Sequence, residues 1–142
     1  MSSPFLLDKL QIQSHLRHHG VSLQVLDTTT STQEVVKAWP ITGSSDIAVC
    51  LAETQLTGHG QRGKPWHSPF GENIYLSMRC IINKTPHQLS GLSLVIGMAL
   101  CQAIESFATW PMDTLSIKWP NDVLMKEKKL AGILIDTDQH TS

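Results

Sequence analysis

The run Lys118-Trp119-Pro120-Asn121-Asp122, followed by Lys129-Leu130-Ala131-Gly132-Ile133-Leu134, gathers side chains suited to phosphate chemistry. Two lysines near one site neutralise the charge that builds on a phosphoryl group in its transition state. Lys118 ends a short strand, and Pro120 breaks that strand while holding Trp119 extended. Asn121 and Asp122 add polar groups, with Asp122 the candidate to meet a hydrated magnesium ion. Gly132 lies inside an apolar strand, which marks close approach of a ligand or another backbone. A plainer reading stands beside this one. Asn-Asp makes a turn, and Lys126, Lys128 and Lys129 form a solvated hairpin tip. On chemistry alone the plain reading holds for Lys126 and Lys128.

A second cluster is Gly58-His59-Gly60-Gln61-Arg62-Gly63, which fits G-x-G-x-x-G after a strand. A dinucleotide fold requires this motif to open a helix whose N-terminus holds the pyrophosphate. Here Lys64-Pro65-Trp66-His67-Ser68-Pro69 follows, and two prolines prevent such a helix. The loop keeps its physical content. Its glycines let backbone N–H groups converge on an anion. Arg62 and Lys64 add positive charge, and Trp66 offers a flat apolar face. Such a loop suits closure over a phosphorylated intermediate, excluding water. A disordered surface loop is the equal alternative on these grounds.

The elements that must position these groups follow from periodicity. Residues 5–19 read as a helix through Phe5, Leu6, Leu10, Ile12 and Leu16, with His18 and His19 suiting its C-terminal dipole and Gly20 its stop. His15 and His19 stand at i,i+4, a spacing that metals use, but a solvated helix face accounts for them. Residues 21–27 alternate as a strand. Ser31 opens a short helix, and Glu34 three residues on completes a capping-box pattern. Residues 46–54 read as a strand buried on both faces. Residues 55–73 hold four glycines and two prolines without a period, hence a long loop. Ile74 to Ile82 is a strand, and Pro86 to about Ala108 a helix apolar nearly all round and therefore central. Thr114 to Trp119 is a strand. Val123 to Met125 and Leu130 to Asp136 pair as a hairpin around Lys126–Lys129. Three final sequential strands imply antiparallel pairing, so the class is α/β or α+β: a mixed β-sheet flanked by helices.

The chain has 142 residues, 41% of them hydrophobic, which is the size and composition of one domain with a real core. The net charge of −1 gives no global basic field for nucleic acid. Cys50, Cys80 and Cys101 sit in apolar runs and read as reduced, buried thiols. The N-terminus lacks the pattern of a signal peptide. The apolar stretch from Leu92 to Ile104 is too short to span a bilayer and is broken by Gln102 and Glu105. A soluble, cytoplasmic protein without membrane association is the expectation.

Taken together, the motifs resemble a known family. Ser31-Thr32-Gln33, then Ala52-Glu53-Thr54-Gln55 leading into Gly58-x-Gly60-x-x-Gly63, then Trp66, match in order and spacing. So do Ser68-Pro69-Phe70-Gly71-Glu72-Asn73-Ile74-Tyr75-Leu76-Ser77, Gly91-Leu92-Ser93-Leu94 and the two lysine segments. From about Leu26 to Ile135 the chain resembles the catalytic domain of the biotin–protein ligases. The resemblance implies the mixed-sheet fold shared with class II tRNA synthetases and lipoate ligases. It implies joining of biotin to ATP as biotinyl-5′-AMP, with Mg²⁺, and transfer to a lysine of a biotin carboxyl-carrier domain. By the same resemblance Ser31, Thr32, Gln33 and Gln55 bind the biotin head group. Gly58, His59, Gly60 and Gln61 order over biotin, and Trp66 lines its pocket. Gly63, Lys64, Lys118 and Asn121 face the nucleotide phosphates, with Asp122 at the metal. Lys129 contacts the biotin carboxyl or the adenylate phosphate. Lys129, Lys118 and Arg62 form the catalytic set, with Lys129 first.

Two departures from the family pattern bear on activity. The family loop reads G-R-G-R-x-G, whereas His59 and Gln61 stand at its two arginine positions. Guanidinium groups are fixed, bidentate phosphate donors, so their loss predicts weaker retention of the adenylate, with Lys64 compensating in part. The family domain also continues past the second lysine segment and often carries a C-terminal barrel. Its repressor members carry an N-terminal helix-turn-helix. The expectation is a single, partial catalytic domain over residues 1–142 without either addition, binding no DNA, whose exposed sheet edge invites a homodimer. The main reading is a ligase. A non-catalytic biotin- or biotinyl-AMP-binding module is the alternative. A lipoate or octanoate transferase fits less well, because those relatives lack the Lys-Trp-Pro-Asn-Asp run.

Overall fold

A computed structural model of the chain describes residues 6–17, 20–107 and 114–138. They divide into two compact units, residues 1–83 and 84–142, each built on its own three-stranded sheet.

The first unit begins with α1 (Lys9–His15), capped by the Asp8 carboxylate on the Gln11 N–H. This helix is shorter than the periodicity predicts: Leu16 is already extended and caps its end. Leu10 is 78% exposed, so the helix lacks the apolar contact that would lengthen it. Phe5, His18 and His19, and with them the histidine spacing, lie outside the described residues.

β1 (Val21–Thr29) pairs in parallel with β2 (Ile47–Gln55), and β2 pairs antiparallel with β3 (Tyr75–Cys80). The order β1-β2-β3 makes β2 central, which explains why residues 50–53 are all buried. Ala48, Cys50 and Ala52 alternate along one face of β2. Their small side chains leave room for α2 (Thr32–Ala38), which packs on β2 and β3 and buries Val36. The core of this unit is Leu23, Val36, Ala48, Cys50, Leu51, Ala52 and Tyr75. Full burial of one such aliphatic side chain contributes about 1.5–3 kcal/mol.

Two readings of the sequence change here. Ser31 does cap α2, accepting from the Gln33 N–H at 3.2 Å, but Glu34 pairs with Lys37 at 3.8 Å and does not close a capping box. An exposed ion pair one turn away competes for the same carboxylate. The three cysteines are free, and Cys50 is buried as expected, but Cys101 is only half-buried and Cys80 is exposed. Cys80 ends an edge strand whose outward residues Leu76 and Met78 are also exposed.

The second unit opens with a short 3-10 turn at Pro86–Leu89, where Thr85 and Gln88 form a capping box. α3 (Leu92–Phe107) follows and packs on β4 (Leu115–Lys118) and β5 (Asp122–Met125). β6 (Lys128–Gly132) completes the antiparallel order β4-β5-β6. The predicted hairpin is present, but with a tighter turn. Lys126 and Glu127 alone span it, both with positive φ (47° and 65°), so β6 begins at Lys128. Two-residue hairpins take this mirror-image turn because its twist matches that of the strands.

α3 is not the central helix its composition implies. Gly97 is its one buried residue, and Val95 and Met98 are more than half exposed. Within its unit, its main contacts among the described residues are with β4 and β5. A Cβ on Gly97 would make ordinary contact with Ile117 Cδ1 and Ile133 Cδ1 at 3.5 Å, so the Gly97 side of the helix is the one that lies on the sheet. With its preceding turn the helical run reaches 22 residues, Pro86–Phe107, longer than the apolar stretch counted in the sequence. It is long and apolar enough, by length and composition, to cross a membrane.

Candidate active site

In the first unit the site grows from the N-terminal end of α2. Ser31 and Thr32 are 4% and 2% exposed, which for hydroxyl residues demands partners. Thr32 has them. Its backbone N–H and its hydroxyl both donate to Gln55 Oε1, at 2.9 and 3.1 Å. The Thr32 hydroxyl has one proton, so at the 2.8 Å contact with Ser77 Oγ it is Ser77 that donates. Two donors on Oε1 fix the orientation of the Gln55 amide and turn its NH₂ the other way.

That NH₂ faces Gly58. A Cβ at position 58 would lie 2.9 Å from Gln55 Nε2 and 3.3 Å from Ser68 Oγ. Gly58 is therefore glycine because the Gln55 amide occupies the space a side chain would need. The signal for close approach was legible in the glycine pattern, but its partner was not.

Sequence reasoning missed Ser77 and Arg79. They are two apart on β3, on the face that meets α2. Ser77 holds Thr32 at the start of the helix. Arg79 Nη1 donates to the carbonyls of Lys37 and Trp39, both at 2.7 Å, at its end. A cation on the last carbonyls satisfies orphan acceptors and complements the helix dipole. Two polar residues at period two inside IYLSMRCII were the signal available in the sequence.

The glycine loop is folded rather than shapeless. His59 and Pro65 form an isolated antiparallel bridge, with Trp66 N–H on Gly58 O and Gly60 N–H on Lys64 O, each at 2.8 Å. Gln61–Gly63 makes a single 3-10 turn at its tip. No α-helix follows it among the described residues, in keeping with rejection of a dinucleotide motif. Arg62 adopts φ 58°, ψ 28° and Gly63 φ 70°. A left-handed arginine costs of order 1 kcal/mol. Trp66 lies against Gly60, where a Cβ would stand 3.7 Å from its ring. His59, Gln61, Arg62 and Lys64 are exposed around this turn, and Gln33 is half-buried nearby in sequence to Ser31. Downstream, Thr54 Oγ1 donates to Ser68 O and Tyr75 OH to Pro69 O, tying the loop to the sheet.

In the second unit, β4 ends at Lys118 and β5 starts at Asp122, joined by a tight turn with a cis Trp119–Pro120 peptide. Ser93 of α3 donates to Pro120 O at 2.8 Å and anchors that turn. Asn121 is locked to the start of the chain beyond β6: its Nδ2 donates to Ile133 O, and its carbonyl accepts from Ile133 N–H, both at 2.9 Å. Lys118 and Asp122 are direct cross-strand partners, and so are Asp122 and Gly132. Lys129 Nζ lies 2.8 Å from Asp122 Oδ1. The two lysines thus flank one carboxylate on one sheet face.

Asp122 and the Oδ1 of Asn121 are the residues that could meet Mg²⁺. The described residues hold no group of three or more His, Cys, Asp or Glu side chains placed to bind a metal. A lone carboxylate with an amide oxygen fits a largely hydrated ion carried on substrate phosphates, the usual way Mg²⁺ is held.

The family model described as the biotin/lipoate A/B protein ligase family matches residues 25–141. The bifunctional ligase/repressor BirA of Salmonella typhimurium is 39% identical over 132 residues, which is 92% of this chain and 39% of that protein. The biotin–[acetyl-CoA-carboxylase] ligase of Mycobacterium tuberculosis is 33% identical over 138 residues, covering 94% of this chain and 52% of that one. Among solved structures, the biotin protein ligase of Aquifex aeolicus in complex with biotin and ATP superposes with a TM-score of 0.66 at 33% identity, covering 82% of this chain and 47% of that one. The chain therefore spans about half, or less, of the length of these relatives. With nearly all of its strands and both of its polar clusters inside the matched region, the chain belongs to the biotin/lipoate A/B protein ligase family.

Proposed function

We propose that the chain acts as a biotin–protein ligase. The biotin carboxylate attacks the α-phosphorus of ATP, releasing pyrophosphate and giving biotinyl-5′-AMP. The amine of an acceptor lysine on a biotin carboxyl-carrier domain then attacks the acyl carbon, releasing AMP. The observation that carries this reading is the retained charge at Lys118 and Lys129, two ammonium groups flanking Asp122 on one sheet face. Charge of that kind, preorganised where negative charge develops, is what adenylation requires. Mg²⁺ bound with ATP would neutralise further phosphate charge.

Ser31, Thr32, Gln33 and Gln55 are the residues we assign to the biotin head group. Gln55 supports the assignment, because its carbonyl oxygen is occupied by Thr32 and its NH₂ is left to donate. Gly58, His59, Gly60, Gln61 and Trp66 would cover the ligand, with Gly63, Lys64 and Arg62 toward its phosphate. Lys118, Asn121 and Lys129 would face the nucleotide and the reacting carboxyl.

A second reading, a non-catalytic module that holds biotin or biotinyl-AMP, is favoured by His59 and Gln61 at the loop's two arginine positions. One experiment separates the two. The protein is mixed with biotin, Mg²⁺ and ATP labelled on its α-phosphate, with and without a carrier domain. The ligase reading expects labelled biotinyl-AMP and biotin on the carrier lysine. Biotin binding without adenylate would establish the binding module, and no binding of biotin would sink both.

A further inference from the structure

Lys129 reaches Asp122 because of an irregularity in the last hairpin. Directly opposed residues in an antiparallel pair project from the same face, and successive residues alternate. The register Ile117↔Val123↔Ala131 therefore defines one face of the second sheet. Val123 is fully buried and Ile117 meets α3 at Gly97, so this is the packed face. The register Lys118↔Asp122↔Gly132 defines the other.

Continued without a break, that register would set Leu124 against Leu130 and Met125 against Lys129. Lys129 would then share the face of Met125 and Val123, the packed side. The observed pairs are Leu124↔Lys129 and Met125↔Lys128, with the shift falling between Val123 and Leu124. Leu130 is the extra residue, left without a partner in the ladder and 41% exposed. The bulge moves Lys129 across the sheet onto the face of Leu124 and, two residues back, Asp122. From there the diagonal reach ends in the 2.8 Å ion pair. Re-aiming one side chain is a recognised use of a β-bulge.

We propose that Asp122, together with the bulge at Leu130, is the positioning device for Lys129. The inference rests on the reading of Lys129 as the group that meets the reacting carboxyl or phosphate. Asp122 acts through the lysine: it holds one end of a long, rotamer-rich side chain, so the ammonium charge is in place before substrate arrives. This differs from a role for Asp122 as a direct metal ligand, and the two make different predictions.

The test is a double-mutant cycle on the full chain with Asp122→Asn, Lys129→Gln and the pair, with folding of each variant verified by its thermal transition. Asp122→Asn is expected to lower kcat for biotinyl-AMP formation by about 10- to 100-fold, with KM for biotin little changed. In the Lys129→Gln background the same change should cost nothing further, because its target is gone. Asp122→Glu, which keeps the charge on the same face, should recover part of the rate. Deleting Leu130 should mimic Lys129→Gln. An independent readout is the ¹H–¹⁵N correlation of the Lys129 ammonium, expected in the parent and lost in Asp122→Asn. Equal losses from Asp122→Asn in both backgrounds would overturn the proposal, as would recovery of Asp122→Asn by raised Mg²⁺. A parent protein that makes no adenylate would remove the functional reading, and the ammonium signal would still decide whether Asp122 holds Lys129.

Discussion

Gln55 Oε1 accepts two hydrogen bonds from Thr32, one from its backbone and one from its hydroxyl, across 23 positions of sequence. A single residue at the start of α2 thus orients the amide at the end of β2. Replacing Thr32 by valine keeps shape and volume but deletes the hydroxyl, leaving Gln55 with one donor and the Ser77 hydroxyl without its acceptor. A buried polar group that loses a partner costs about 1–3 kcal/mol. Thr32→Val should lower stability by that amount in urea denaturation. It should also weaken biotin binding by about tenfold in calorimetry, since a loosened Gln55 no longer presents its NH₂ in one direction. Full stability with unchanged biotin affinity would separate this network from the ligand site.

Gln61 opens the 3-10 turn at the tip of the glycine loop and is exposed. Gln61→Arg introduces a guanidinium at a family arginine position without disturbing the left-handed Arg62 beside it. Dissociation of biotinyl-AMP, followed by stopped-flow fluorescence of Trp66 and its neighbours, should slow by about tenfold, the scale of one charge-assisted hydrogen bond. An unchanged off-rate would show that the loop does not contact the adenylate phosphate.

Asp46 closes the turn that precedes β2. The Gly43 N–H and then the Thr42 N–H bond its carboxylate, at 2.8 and 3.2 Å, and hold its pKa below the usual carboxylate range against a smaller opposing effect of burial. A depressed folded-state pKa contributes stability that is complete above the unfolded pKa and is lost as pH falls through the folded one. Asp46→Asn should therefore be less stable than the parent at neutral pH. The difference should shrink as the pH falls below the usual carboxylate range. A gap between the two denaturation midpoints that stays constant down to strongly acidic pH would rule out this linkage.

Much of the site was written locally. Ser31 was recognisable as a helix cap because a hydroxyl before an amphipathic run satisfies the first free N–H groups, whatever the rest of the chain does. Pro65 and Pro69 ruled out a phosphate-binding helix for the same kind of reason: a fixed φ and a missing donor act on the residue itself. The central strand announced itself by a continuous run of small and apolar residues. Composition misled for α3, where an apolar surface on all sides was read as burial although Gly97 is its one buried residue.

The sequence by itself determined the family and the order of elements, because these depend on residue types at short spacing. Only the tertiary structure decided which side chains meet. Thr32, Gln55 and Ser77 converge from three elements, and Ser77 and Arg79 grip the two ends of α2 from one strand. Lys129 joins Asp122 only through the bulge at Leu130. Alternation specifies a face within one strand, but the register between strands is a non-local choice, and one extra residue moves a side chain to the other side of the sheet.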